Sequence, residues 1–216
     1  MKLENMSWDE AIQKVRGKTI LVPHGSTEEH GYHLPLKTDA LIAERICAPY
    51  YKSKNVVVAP TMNYTASKKT KEMPGTVGPN KKEYINWIES IIIDFLKLKP
   101  YRIVFFLGHD GRTQREVFSK LTKKFRMVHF IESSELSEKA MKRKIIDGRG
   151  HAGEGETSLM LFLEPKNVKM NKAVDEIWPA DRAGKSGVNG YPTKATKDKG
   201  KALYKLFISE IAKEIR

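Results

Sequence analysis

The 216-residue chain alternates short apolar runs with longer segments of helical period. Four runs stand out: residues 19–23 (TILVP), 55–59 (NVVVA), 102–107 (RIVFFL) and 127–131 (MVHFI). Short, nearly continuous apolar runs fit strands buried on both faces of a covered sheet. Between them, residues 40–51, 81–97 and 112–125 read as helices. In the closing segment 194–215, Ala202, Leu203, Leu206, Phe207 and Ile211 recur at helical spacing and predict an amphipathic helix. Strand–helix alternation predicts an α/β protein, a three-layer α/β/α sandwich with a mainly parallel central sheet. Gly and Pro cluster at 73–79 and 183–192, which are expected to be loops. No internal repeat or low-complexity linker divides the chain, so residues 1–216 are expected to form one domain.

Composition narrows the function classes. Hydrophobic residues make up 40% and charged residues 30%, a globular profile that argues against disorder. No apolar run approaches the ~18 residues of a membrane span. The first ten residues carry Glu4, Asp9 and Glu10 with no apolar core, so no secretory signal is expected. Cys47 is the single cysteine, which excludes an intrachain disulfide framework and any multi-cysteine metal cluster. A reducing, cytoplasmic compartment is the expectation.

The net charge is +13, and residues 51–150 hold most of the excess, with 21 basic against 10 acidic side chains. Such a region can attract nucleic acid, acidic lipid or a phosphorylated metabolite. The chain has no recognisable nucleic-acid motif, and its aromatics are not interleaved with arginines. A solvated, lysine-rich surface is the plainer reading. Neither a membrane nor a nucleic acid is an expected partner.

In an open α/β sheet, active sites gather beyond the carboxyl ends of the strands. The first strand run leads into His24 and then Glu28, Glu29, His30, His33 and Asp39; the third leads into His109 and Asp110. A later cluster holds His151, Glu154 and Glu156. Glu28 and His30 are two apart, which in an extended segment puts both on one face. Imidazole and carboxylate donors suit Zn²⁺, Mn²⁺ or Fe²⁺, and a carboxylate shared between two ions allows a dinuclear site. Spacing alone leaves surface or capping roles open for these residues. His33 reads as a wall or structural residue, His129 as a core or rim histidine within a strand, and His24 is undecided. Trp178 and Tyr191 read as buried aromatics that could also wall a pocket.

Residues 28–39 (EEHGYHLPLKTD) resemble the E-x-H-G-x-H-L-P-x-x-T-D signature of the creatininase (creatinine amidohydrolase) family. Residues 151–158 (HAGEGETS) resemble its H-A-G-x-x-E-T-S segment, 73–76 (MPGT) its F-P-G-T loop, and 187–196 (GVNGYPTKAT) its G-V-x-G-x-P-x-x-A-T tail. The resemblance runs in order over nearly the whole chain. It implies a creatininase-like sandwich, two divalent metal ions per subunit (Zn, Mn or Fe), hydrolysis of a C–N bond, and a homo-oligomer, often a hexamer. Carried over residue by residue, it makes Glu28, His30, Asp39 and His109 metal ligands, with Asp39 the bridge. Glu156 becomes the remaining carboxylate ligand, and His151 the group that handles protons on the scissile amide. Glu154 is expected to orient His151 or shuttle protons. The expected nucleophile is a hydroxide formed near neutral pH between paired ions.

Departures from the pattern bear on the substrate. Where the family commonly reads N-G-H-G-G-N, residues 107–112 read LGHDGR, and Gly111 stands where creatininase has a glutamate. Thr70 stands where many relatives carry a histidine, flanked by Lys68, Lys69 and Lys71. These three lysines, Thr76 and Asp110 are the expected substrate-binding residues. The expected substrate is a small amide, cyclic amide or formamide. The lysines also suit a phosphorylated pyrimidine formamide of flavin or deazaflavin synthesis. A short peptide, as in relatives that trim peptide-derived redox cofactors, is a further option. A catalytically silent, ligand-binding relative is the reading from a different class.

Overall fold

The computed structural model describes residues 1–67, 70–179 and 183–215. Four strands, β1 (Thr19–His24), β2 (Val56–Val58), β3 (Arg102–Leu107) and β4 (Val128–Glu132), form one parallel sheet in the order β2-β1-β3-β4. Thr19 pairs with Val56 on one side and Arg102 on the other, and Ile103 pairs with Val128. The expected strands are all present, within a residue or two of the expected limits.

Side chains alternate across the sheet and meet helices on both faces. Leu21, Val104, Phe106 and Ile131 pack against α2 (Thr38–Cys47), α5 (Ser133–Lys142), α6 (Glu154–Leu163) and α7 (Lys197–Glu214). Ile20, Val22, Ile103, Phe105 and Leu107 pack against α1 (Trp8–Val15), α3 (Lys81–Leu96) and α4 (Arg112–Lys124). This is the α/β/α sandwich that the alternation predicted.

Several boundaries differ from the sequence reading. The helix expected over 40–51 begins at Thr38 and gives way to a 3-10 segment, Ala48–Lys52. Pro49 lacks the N–H needed to continue the α ladder. The closing helix starts at Lys197, where the Thr196 side chain accepts from Lys199 N. Helices α1 and α5 were not expected. α1 is announced by a capping box in which the Ser7 and Glu10 side chains each take the other's end of the first turn.

The topology also places the site. The chain leaves β1 for β2 on one side of the sheet, then crosses to β3 and β4 on the other. The sheet order therefore reverses between β1 and β3, and a crevice opens beyond their carboxyl ends. Both strands lead into donor-bearing loops there. No helix among the described residues is long and apolar enough to cross a membrane.

Candidate metal centre

Two clusters of potential ligands face each other at this crevice. Glu28, Asp39 and His109 offer donor atoms within 4.8 Å of one another, and so do His30, His151 and Glu156. Asp39 joins them. Its Oδ1 lies 2.9 Å from Nε2 of His30, and its Oδ2 lies 3.0 Å from Nδ1 of His109. His109 Nδ1 is also 2.7 Å from Glu28 Oε2, and His30 Nε2 is 3.7 Å from Glu156 Oε2. The five residues expected as ligands are thus brought together, with Asp39 in contact with both clusters.

Local sequence explains the arrangement. Asp39 enters from the first turn of α2, and Gly108 lets the end of β3 close onto that turn. A Cβ on Gly108 would lie 2.6 Å from Asp39 O. Hydroxyls hold the carboxylates in place: Ser26 Oγ donates to Asp39 Oδ2 at 2.8 Å, Ser67 Oγ to Glu28 Oε2 at 3.0 Å, and Thr70 Oγ1 to Glu28 Oε1 at 2.5 Å. His30 Nδ1 is 3.0 Å from the Glu28 carbonyl, which fixes the proton there and leaves Nε2 as the donor.

The electrostatics are those of a site that expects cations. Burial pushes the His30 imidazole down, but Asp39 outweighs it and holds the ring at about 10. Burial likewise opposes His109, which Glu28 and Asp39 raise well above the ordinary histidine value. Burial works against ionised Glu28, yet His109 brings it to about 2. Glu156 is pushed up to about 7, first by burial and then by Asp39. Without other cations, protons on the two imidazoles balance the two buried carboxylates, Glu28 and Asp39, while half-buried Glu156 is raised toward its neutral form. Imidazole nitrogens and carboxylate oxygens at this density are the donor chemistry of Zn²⁺ or Mn²⁺, so the residues fit such ions.

His151 is the third member of the second cluster, its ring 4.4 Å from that of His30 and 5.3 Å from that of Trp178. Its Nε2 is 3.0 Å from Glu29 Oε1 and 2.7 Å from Glu29 O. Glu29 was not anticipated in this role. Its second oxygen, Oε2, accepts from Gly31 N at 3.1 Å, and its own N–H donates to Thr76 Oγ1 at 3.1 Å. Gly187, at φ +74°, closes over this carboxylate, and a Cβ there would lie 1.8 Å from Oε2. The G-V-x-G segment thus has a steric purpose. Ala152, next to His151, is held in the left-handed region at φ +49°. Its N–H donates to Glu156 Oε2 at 2.6 Å.

Glu154 is a correction. Expected beside His151, its carboxylate instead pairs with Lys199, and its Oε2 accepts from Asp147 N at 2.8 Å and Gly148 N at 3.2 Å. Residues two apart on a helix point about 200° away from each other, so Glu154 and Glu156 cannot both face the centre. Lys71 is another correction: its Nζ donates to Gly78 O at 2.5 Å on the exposed side. Lys68 and Lys69 lie outside the described residues. Thr76 supports Glu29 rather than facing the cavity.

A cavity of about 390 Å³ opens over the centre, and Asp39, His109, His151 and Glu156 line it. Asp110 also lines it, while its Oδ2 accepts from Ser134 N at 2.5 Å. Arg115 and Arg149 are on the same walls, and neither was expected at the site. Of the other histidines, His24 is fully buried under Tyr84, whose hydroxyl lies 3.1 Å from Nε2. His33 Nε2 bonds Thr157 Oγ1 at 2.9 Å, and His129 is half-buried on β4. Tyr191 is 44% exposed and is not among the described residues that line this cavity.

Comparison with known proteins agrees with this geometry. The family model for creatininase, described as creatinine amidohydrolase, matches residues 4–215. A mycofactocin precursor peptide peptidase of Mycolicibacterium smegmatis is 28% identical, covering 91% of this chain and 84% of that protein. A tryptophan-substituted creatininase superposes with a TM-score of 0.85 at 22% identity, covering 100% of this chain and 97% of the other. A glutamate-substituted creatininase of Zn–Zn type superposes with a TM-score of 0.81 at 19% identity, covering 100% and 96%. With sequence, fold and crevice in agreement, the chain belongs to the creatininase family of hydrolases.

Proposed function

We propose that this protein is a dinuclear metal hydrolase that cleaves the C–N bond of a small amide, with Asp39 bridging the ions. The observation that carries the reading is the placement of the two Asp39 oxygens, one 2.9 Å from His30 and the other 3.0 Å from His109. Glu28, Asp39 and His109 would hold one ion, and His30, Asp39 and Glu156 the other. The Zn–Zn type of the related creatininase structure supports two ions. Bound there, divalent ions supply Lewis acidity and lower the pKa of coordinated water.

The chain's own residues then divide the work. The cavity positions the amide against the donors and limits bulk water. Glu29 holds His151 through Nε2, leaving Nδ1 to pass a proton to the departing nitrogen. Glu28 and Asp39 are held rigid by Ser67, Thr70 and Ser26, so the donors need little reorganisation. The peptidase relative favours a peptide-type amide as one substrate, and the family description a cyclic amide as another. The same reading carries one domain over residues 1–216, a homo-oligomer, and a cytoplasmic setting in keeping with the lone buried Cys47.

The test is hydrolysis by zinc- and manganese-reconstituted protein against creatinine, formamides and short peptides, with chelator controls. Metal-dependent hydrolysis in any class, read as creatine from creatinine, formate from formamides or a new amine from peptides, supports the reading. Tight metal binding with no turnover across all classes would favour the silent ligand-binding relative.

A further inference from the structure

We propose that the cavity takes an anionic amide, whose carboxylate or phosphate is received by Arg115 and Arg149 while the scissile bond lies at the metal donors. This rests on the hydrolase reading and names the substrate class for the same site. Arg115 and Arg149 line one cavity of about 390 Å³ with Asp39, His109, His151 and Glu156. That volume is near the small end of ligand pockets, about 300–1,000 Å³, so an amide at the donors lies within the same walls as the arginines.

Neither guanidinium has all of its donors engaged. Arg115 Nε is 2.8 Å from Glu132 Oε1, and its Nη2 donates to Ser134 Oγ at 2.8 Å. Arg149 Nη1 donates to Glu138 Oε1 at 2.5 Å. A guanidinium has more N–H donors than these contacts use, in a planar fork matched to carboxylate and phosphate oxygens. The ion pairs themselves are half-exposed, with side-chain exposures of 46% and 19% for Arg115–Glu132 and 47% and 49% for Arg149–Glu138. Pairs so exposed add little to stability, so folding does not account for two arginines here.

The remaining wall chemistry agrees. Among the described residues no lysine lines the cavity, and Lys71, the described member of the expected anion-binding cluster, is spent on Gly78 O. Ser137 and Asn189 add neutral polar groups. Of the wall carboxylates, Asp39 and Glu156 belong to the metal donors, and Asp110 is occupied by Ser134 N. Substrate charge therefore meets arginine.

The test uses the full-length, zinc-loaded chain and two matched probe pairs in isothermal titration calorimetry. One pair is N-acetylglycine and N-acetylglycinamide. The other is N-acetyl-O-phosphoserinamide and N-acetylserinamide. The anionic member of one pair should bind about tenfold tighter than its neutral partner. That preference should fall about fivefold or more in Arg115→Gln and in Arg149→Gln, with zinc content unchanged. The pair that shows it identifies carboxylate or phosphate. No preference in either pair, or no binding by either anionic probe, overturns the proposal. A preference untouched by both substitutions also overturns it, because the anion then sits on the ions. Titrations of zinc-free protein separate this from the hydrolase reading: an arginine-dependent preference there supports the anion site even if no metal chemistry is found.

Discussion

The Nε2 atom of His151 lies 3.0 Å from Oε1 of Glu29, a residue 122 positions away in the chain, in the loop that also carries two of the candidate metal donors. The contact ties the histidine proposed to handle protons to the same segment that builds the candidate centre. Glu29→Gln keeps the shape but weakens the hold on His151. It should lower kcat by about 10–100-fold while metal content stays at the wild-type level. Steady-state kinetics beside mass-spectrometric metal analysis check this. An unchanged kcat would remove Glu29 from the mechanism.

Gly187 guards that contact. Ala at a position with φ +74° is strained, and its Cβ would collide with Glu29 Oε2. Gly187→Ala should cost about 1–3 kcal/mol of stability and displace the Glu29 carboxylate. Thermal melting reads the first effect, and a drop in kcat resembling that of Glu29→Gln reads the second.

Metal affinity should rise steeply with pH. In the metal-free centre, Asp39 keeps the His30 imidazole protonated up to about 10, and Glu28 and Asp39 raise His109 as well. A metal ion needs both rings neutral, so binding expels protons. Affinity should increase from pH 6 to pH 8 with more than one proton released. Calorimetry in buffers of different ionisation enthalpy measures the count. Binding without proton release would contradict the charge arrangement described.

His24 should make the fold acid-sensitive. Burial first, and then His109, bring its pKa down to about 3 against an ordinary value of 6.5, with Asp39 acting weakly the other way and Tyr84 and Phe118 packed on the ring. Below pH 6.5 the unfolded chain takes up a proton that the folded chain refuses. This group's share of stability is complete above that pH and is lost as pH falls toward 3, by up to about 1.4 kcal/mol per unit. His24→Gln can keep an acceptor for the Tyr84 hydroxyl and should flatten the slope of stability against pH by about one proton. Denaturant melts from pH 4 to pH 7 decide it; parallel slopes would count against the assignment.

Much of this was legible in the sequence because the decisive features are local. Glu28 and His30 share a face after a strand, and the buried strands announce themselves as short apolar runs. Helix α5 was not legible because its sequence, SSELSEKAMK, buries only Leu136 and Ala140. Two apolar positions are too few to set a period. Glu154 was misjudged because α6 begins at Glu154 itself, after His151, and the helix turns Glu154 about 200° away from Glu156. Arg115 and Arg149 reach the cavity from α4 and from the loop before α6, and no spacing rule links such positions. Glu29 was hidden for the same reason: its partner comes from a distant segment.

The most direct measurement is the metal content of untagged wild-type protein beside Asp39→Ala, by inductively coupled plasma mass spectrometry after reconstitution at neutral pH. A bridging Asp39 predicts about two equivalents of zinc, manganese or iron in the wild type and the loss of both ions in the variant. A wild-type protein that takes up no metal, or a variant that keeps both ions, would contradict the dinuclear centre.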